Sequence, residues 1–182
     1  MKLNKELAEE AKKKGVCAEW YSQLLHTEDK HALIKMFLKG IDFCISEGYP
    51  SPRLFRQFDG IRQQHGIFQS EQIQAENFEY VVALGQCQGA ATYTGYAVGQ
   101  VFVKHNTKLS VTASGSAFVM VDVFDGAQVE VAAKGNAKIC VNQYGGSVAS
   151  SELDGAKVKI IRKQSKTYKN GSRQQHDFEH AL

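Results

Sequence analysis

Proline is nearly missing from this chain, at two residues in 182. No two cysteines form a CxxC, because Cys17, Cys44, Cys87 and Cys140 stand far apart. No apolar run reaches the length of a membrane span. Neither sign of charge dominates: 22 basic residues face 19 acidic ones, for a net charge of +3. Each absence removes a class. Four scattered cysteines argue against a disulfide scaffold or a zinc finger and are read as reduced thiols. The small charge does not point to nucleic acid. The N-terminus, MKLNKELAEEAKKKG, has no apolar stretch followed by a small-residue cleavage site, so no signal peptide is expected. These features together read as a cytoplasmic protein. A hydrophobic content of 43% with 23% charged residues excludes a chain too polar to bury a core.

What is present is glycine, sixteen residues of it, and its spacing carries the fold. Gly95, Gly115, Gly135 and Gly155 are twenty residues apart. Ala97, Ala117 and Ala137 repeat with them, as do Val101, Val121 and Val141. Each unit contains two stretches of period two, the pattern of strands. In the clearest unit these are AFVMVDV and AQVEVAA, with Asp125-Gly126 between them. His105-Asn106 and Gly145-Gly146 occupy matching turns, where positive φ is tolerated. A strict long period fits a solenoid, in which equivalent side chains stack from rung to rung. The expected fold is therefore α+β, with a helical N-terminal domain over residues 1–78, a parallel β-solenoid of twenty-residue rungs over 79–161, and a polar tail over 162–182. The rival is an antiparallel β-sandwich, since Asp-Gly and Gly-Gly are also hairpin signals.

Alternation assigns the faces. Val101, Val103, Val119, Val121, Val123, Ile139 and Val141 point inward, with Leu109, Val111, Val129 and Val131 opposite them. Each buried Val or Leu is worth roughly 1.5–3 kcal/mol. Outward positions of the second strand are polar: Lys108, Ser110, Thr112, Gln128 and Glu130. Outward positions of the first strand are not. They include Phe102, Phe118, Met120, Phe124, Cys140 and Tyr144, a stripe too apolar to face water. Either the N-terminal helices cover it, or a second subunit or a partner does. Those helices are expected around Trp20–Leu24, from an N-cap at Thr27 through Ile34, Phe37, Leu38, Ile41 and Ile45, and from Ser51-Pro52 onward.

Catalytic patterns are weak. The pair His176 and His180 in HDFEH has metal-ligand spacing but lacks a supporting ligand set. There is no GxSxG and no phosphate-binding glycine loop. The expectation is a protein that is not an enzyme and needs no cofactor. One polar corner stands out as a small-molecule ligand site: Lys104, His105, Asp122, Asp125 and Asn142, which fall in stacked columns beside Tyr144. The leading expectation is a scaffold or interaction protein, self-associating or binding another protein through Phe102, Phe118, Met120, Phe124 and Tyr144. The alternative is a small-ligand-binding protein using the corner.

The segments AEWYSQL, KGIDFC, VFVKHN, FVMVDVFDGA and CVNQYGG, in this order, resemble a family of small proteins of gut anaerobes and their prophages or other mobile elements. The resemblance spans Cys17 to Gly146. It implies helices followed by β-repeats and a mobile-element context. It brings no activity, so no catalytic or binding residue is carried over.

Overall fold

A computed structural model describes residues 1–168. The HDFEH histidine pair and the polar tail from residue 169 onward lie outside these residues. Five helices come first: α1 (Leu3–Lys13), α2 (Ala18–His26), α3 (Lys30–Lys39), α4 (Ile41–Glu47) and α5 (Pro52–Phe55). Two 3₁₀ turns, Arg56–Phe58 and Arg62–His65, lead into the strands. These are β1 (Ile67–Gln69), β2 (Gln72–Glu76), β3 (Tyr80–Leu84), β4 (Gln88–Tyr93), β5 (Val98–Val103), β6 (Lys108–Ala113), β7 (Phe118–Val123), β8 (Gln128–Lys134), β9 (Lys138–Gln143), β10 (Ser147–Leu153) and β11 (Lys157–Arg162).

Odd and even strands form separate sheets, in the orders β1-β3-β5-β7-β9-β11 and β10-β8-β6-β4-β2. Every pairing is parallel, which is the solenoid and excludes the sandwich. The stacked columns are the ones the twenty-residue period predicts. Val81 pairs with Val101, Val101 with Val121, and Val121 with Val141. All four are 0–1% exposed. At the corner, Gly115 takes φ 67°, and a Cβ there would sit 3.0 Å from the backbone of Gly95 one rung away.

The array starts earlier than the repeat suggests, at Ile67 instead of residue 79. Ile67 pairs with Val82 and Gln72 with Gln88, so the first rung is fifteen to sixteen residues long and falls out of the period. The last turn is nineteen residues, since Lys157 pairs with Lys138 and Ser147 with Gln128. In that last rung Val148, Val158 and Ile160 continue the inward columns, but three inward positions turn polar. Ser150 sits beside Val131, Glu152 beside Ala133, and Arg162 beside Gln143. Glu152 also folds its carboxylate onto the Val158 N–H at 2.6 Å. Polar terminal rungs of this kind stop a solenoid from extending.

The helices form a layer on the outer face of the odd-strand sheet. Leu7, Leu33, Ile34, Phe37, Ile41, Ile45, Leu54 and Phe55 share one core with Ile67, Val82, Phe102 and Phe124. The other core lies between the two sheets. Two helix expectations need correction. Asp29, not Thr27, caps α3, accepting from the Ala32 N–H at 2.7 Å, while Thr27 ends α2. Ile34 to Ile45 is not one helix, because Gly40 (φ −104°, ψ 31°) separates α3 from α4. Among the described residues no helix is long and apolar enough to cross a membrane.

Candidate functional site

The apolar stripe divides into a covered and an uncovered part. Phe102 is 3% exposed and Phe124 is 0% exposed, both beneath the helical layer. Tyr144 and Met120 are half-buried, and Phe118 is 38% exposed. Phe102 and Phe124 are therefore internal to one chain, and an interaction surface has only the Phe118 end of the stripe to use.

The polar corner assembles as the columns require. Asn142, one rung from Asp122, donates to its carboxylate at 2.8 Å. The other carboxylate oxygen accepts from the Tyr168 hydroxyl at 2.5 Å. Tyr168 arrives on the segment after β11, which folds back over the sheet beside α4, with Thr167 3.4 Å from Ser46. Its ring stands edge-on to Phe124 and Tyr144, 5.3 Å from each, and those two stack at 4.8 Å and 12°. Burial raises the Asp122 carboxyl above its ordinary value of 3.8, against the lowering effect of Tyr168, Asn142 and Lys163. Burial pushes the Tyr144 phenol up to about 12, helped by the Asp122 charge.

The neighbouring turn is knit in the same way. His105 Nδ1 accepts from the Gly85 N–H at 3.0 Å, and Asp125 accepts from the His105 N–H at 3.3 Å. Each rung's turn side chain thus satisfies the backbone of the rung beside it. His105 and Asp125 both take positive φ, 64° and 56°, the turn geometry their positions imply. Burial and the Lys104 charge hold the His105 imidazole below its ordinary range. Lys104 donates to the Ile45 carbonyl at 3.2 Å, lies 3.6 Å from Asp125 and stands over the Phe124 ring. The structure brings the five predicted residues into one region, and each is engaged within the chain. The space a ligand would need against Asp122 is filled by Tyr168. Sequence reasoning missed Tyr168. Its one signal was an aromatic residue in an otherwise polar stretch.

These contacts make Asp122 a fastener between strand and tail. Its raised value means that its stabilising contribution is fully present below pH 3.8 and lost as pH rises through the folded value. Asp122→Asn keeps an acceptor for Tyr168 and removes that loss, so at neutral pH it is expected to match or exceed the parent in a urea melt. Asp122→Ala strands the phenol and the Asn142 amide and is expected to cost about 1–3 kcal/mol. Equal midpoints for the two variants at pH 7 would rule out this role.

What stays open is a strip at the glycine corner of the odd-strand sheet. Tyr96 is 89% exposed, Val98 62% and Phe118 38%. A 350 Å³ cavity beside it is lined by Glu79, Val98, Gly99 and Gln100. A second, of 380 Å³, shares Glu79 and runs to Leu38, Lys39, His65 and Tyr80. Gly99 is required there, because a Cβ would run into the ring of Tyr93. Among the described residues no three His, Cys, Asp or Glu side chains cluster as metal ligands.

Fold and site together define a two-sheet parallel β-solenoid with a helical layer on one face. No family model, curated protein or solved structure matches this chain.

Proposed function

We propose that this protein is a non-enzymatic scaffold or interaction module that associates with a second copy of itself. The observation that carries this reading is the uncovered strip of Tyr96, Val98 and Phe118, held on a rigid ladder of strands beside two cavities. Contiguous exposed aromatic and aliphatic groups on a rigid frame are typical of contact surfaces. The corner of Lys104, His105, Asp122, Asp125 and Asn142 supports a ligand-binding reading less well, since its polar groups satisfy one another. The protein works in the cytoplasm on this reading, consistent with four free cysteines of which Cys44 and Cys87 are buried.

The test is solution mass by size exclusion with light scattering over a range of concentrations. The parent chain is expected to rise toward twice the monomer mass. Phe118→Asp places a charge in the contact and is expected to stay monomeric with an unchanged melting temperature, because Phe118 is exposed in the monomer. A parent that stays monomeric at every concentration would sink the reading.

A further inference from the structure

The larger cavity lies where the helical layer meets the first rungs of the solenoid. Its volume is 380 Å³, within the range of small-molecule sites. Lys35, Leu38 and Lys39 of α3 form one wall. The 3₁₀ turn ending at His65 forms a second, and the entry into β3, from Phe78 to Tyr80, forms a third. Gly66 lets the turn close against β3. It takes φ 76°, and a Cβ there would collide with the Tyr80 carbonyl. Leu38, Phe78 and Tyr80 are half-buried, so the cavity offers two rings and an aliphatic chain.

Charge is sorted between the walls. Lys35 and Lys39 stand one helical turn apart on α3, and both are exposed. Like charges at that spacing repel. Among the described residues neither lysine, nor Glu79 on the strand side, forms an ion pair. Lys39 finds partial relief over the Trp20 ring, 6.0 Å from its centre. His65 adds to the cationic side. Its Nε2 lies 2.9 Å from His31 Nδ1, which orients the ring. Burial and the charges of His31 and Lys35 hold the His65 imidazole below its ordinary range, so Lys35 and this ring share one field. One carboxylate thus shares an apolar cavity with two ammonium groups and an imidazole.

We propose that this cavity binds an aromatic carboxylate, with its acid group against Lys35 and Lys39 and its ring against Leu38, Phe78 and Tyr80. Two features select this class. Unpaired ammonium groups on one wall call for an anion, and a charged hydrogen bond to a carboxylate is stronger than a neutral one. The apolar remainder of the lining calls for a flat hydrocarbon body, which a bare ion such as phosphate lacks. Glu79 sets the orientation. It repels an acid group from the strand side and turns it toward α3. A cationic ligand would meet two like charges for one opposite. The cavity is open and the ligand small, which places Kd on the order of 10 µM to 1 mM. The site belongs to the single chain and does not depend on self-association.

Two probes of one shape, 2-naphthoate and 2-naphthamide, separate charge from fit. Each is titrated into the nitrogen-labelled full chain and followed by backbone amide shifts. Naphthoate is expected to saturate, with the largest shifts around Lys35, His65 and Tyr80, and naphthamide to bind about tenfold more weakly. Lys35→Glu should weaken naphthoate about tenfold and leave naphthamide unchanged. Lys35→Gln, a milder change at the same exposed position, should weaken it about threefold. Glu79→Gln removes the opposing charge and should tighten naphthoate about twofold to threefold. All these side chains are exposed, so the variants should melt with the parent. Equal affinity for the two probes would mean that the cavity reads shape alone and would overturn the anion site. Shifts centred on Tyr96, Val98 and Phe118 would overturn it by placing the probe on the exposed strip. So would naphthoate that fails to saturate by about 10 mM.

Discussion

Phe124→Ala is expected to lower the stability of the fold by about 3–5 kcal/mol. Phe124 is 0% exposed and sits where three parts of the chain meet. Below it is the solenoid, to which its N–H is tied through the Val103 carbonyl at 2.9 Å. Above it is the helical layer, whose core it shares with Ile41, Ile45 and Leu54. Beside it are Tyr144, stacked at 4.8 Å, and Tyr168, edge-on at 5.3 Å. Truncation leaves a ring-sized void lined by groups that cannot all collapse into it, because the solenoid backbone is fixed by its ladder. Tyr168 also loses one of the two rings that orient its hydroxyl toward Asp122. Phe124→Leu retains most of the volume and should cost less. Urea unfolding followed by circular dichroism reads the difference. A cost below about 1 kcal/mol, the level of an ordinary surface substitution, would mean that the helical layer is not fastened to the sheet at this point.

That expectation separates what the sequence showed about Phe124 from what it hid. Its outward position on the strand was legible, because Val121 and Val123 alternate with it and repeat at twenty residues. The apolar character of the column was legible too. What covers it was not, since either the N-terminal helices or another chain could supply the missing partner, and periodicity describes only the surface that needs one. The solenoid interior was read residue by residue from Val101 to Val141, because stacking makes equivalent positions alike. The reading stopped at Glu79 for the same reason. The rung of Ile67 and Ile73 is four to five residues shorter than the twenty-residue period, so its residues match nothing at the expected spacing. Thr27 lost the α3 cap to Asp29, two residues on, a choice between neighbouring cap-formers that local composition does not decide. The corner residues were found from their columns, but their partners are the Gly85 N–H, the Ile45 carbonyl and the Tyr168 hydroxyl, which lie on other elements. Sequence patterns locate a polar group; they do not say whether a neighbour has already satisfied it.

Arg62→Leu is expected to remove about 3–5 kcal/mol, by breaking the device that closes the first rung. Arg62 is 5% exposed, and its guanidinium spends its donors in three directions. Nε donates to Asp59 at 2.9 Å, and Nη1 donates to the Ile67 carbonyl at 3.1 Å and to the Glu71 carboxylate. The same group lies over the Phe55 ring, 5.8 Å from its centre. One side chain therefore joins the last helix, the 3₁₀ turn, β1 and the turn into β2. Leucine fills part of the space but supplies no donor, which leaves the Ile67 carbonyl and Glu71 short of partners. Lysine keeps the charge without the planar fork and should recover only part of the loss. The acid limb of the stability profile gives a second readout. Burial would raise Glu71, but the Gln69 N–H, Arg62 and Gln63 outweigh it and hold its carboxyl below the ordinary 4.5. A depressed carboxyl stabilises the fold above its unfolded value, and that contribution is lost as pH falls through the folded one. The parent should therefore weaken as pH drops below about 4.5, whereas Arg62→Leu, which has already lost the main cation at Glu71, should show a flatter acid limb. If the variant instead keeps the parent's acid slope while losing stability at pH 7, the ion pair contributes little. Packing of the arginine stem against Phe55 would then be what closes the rung.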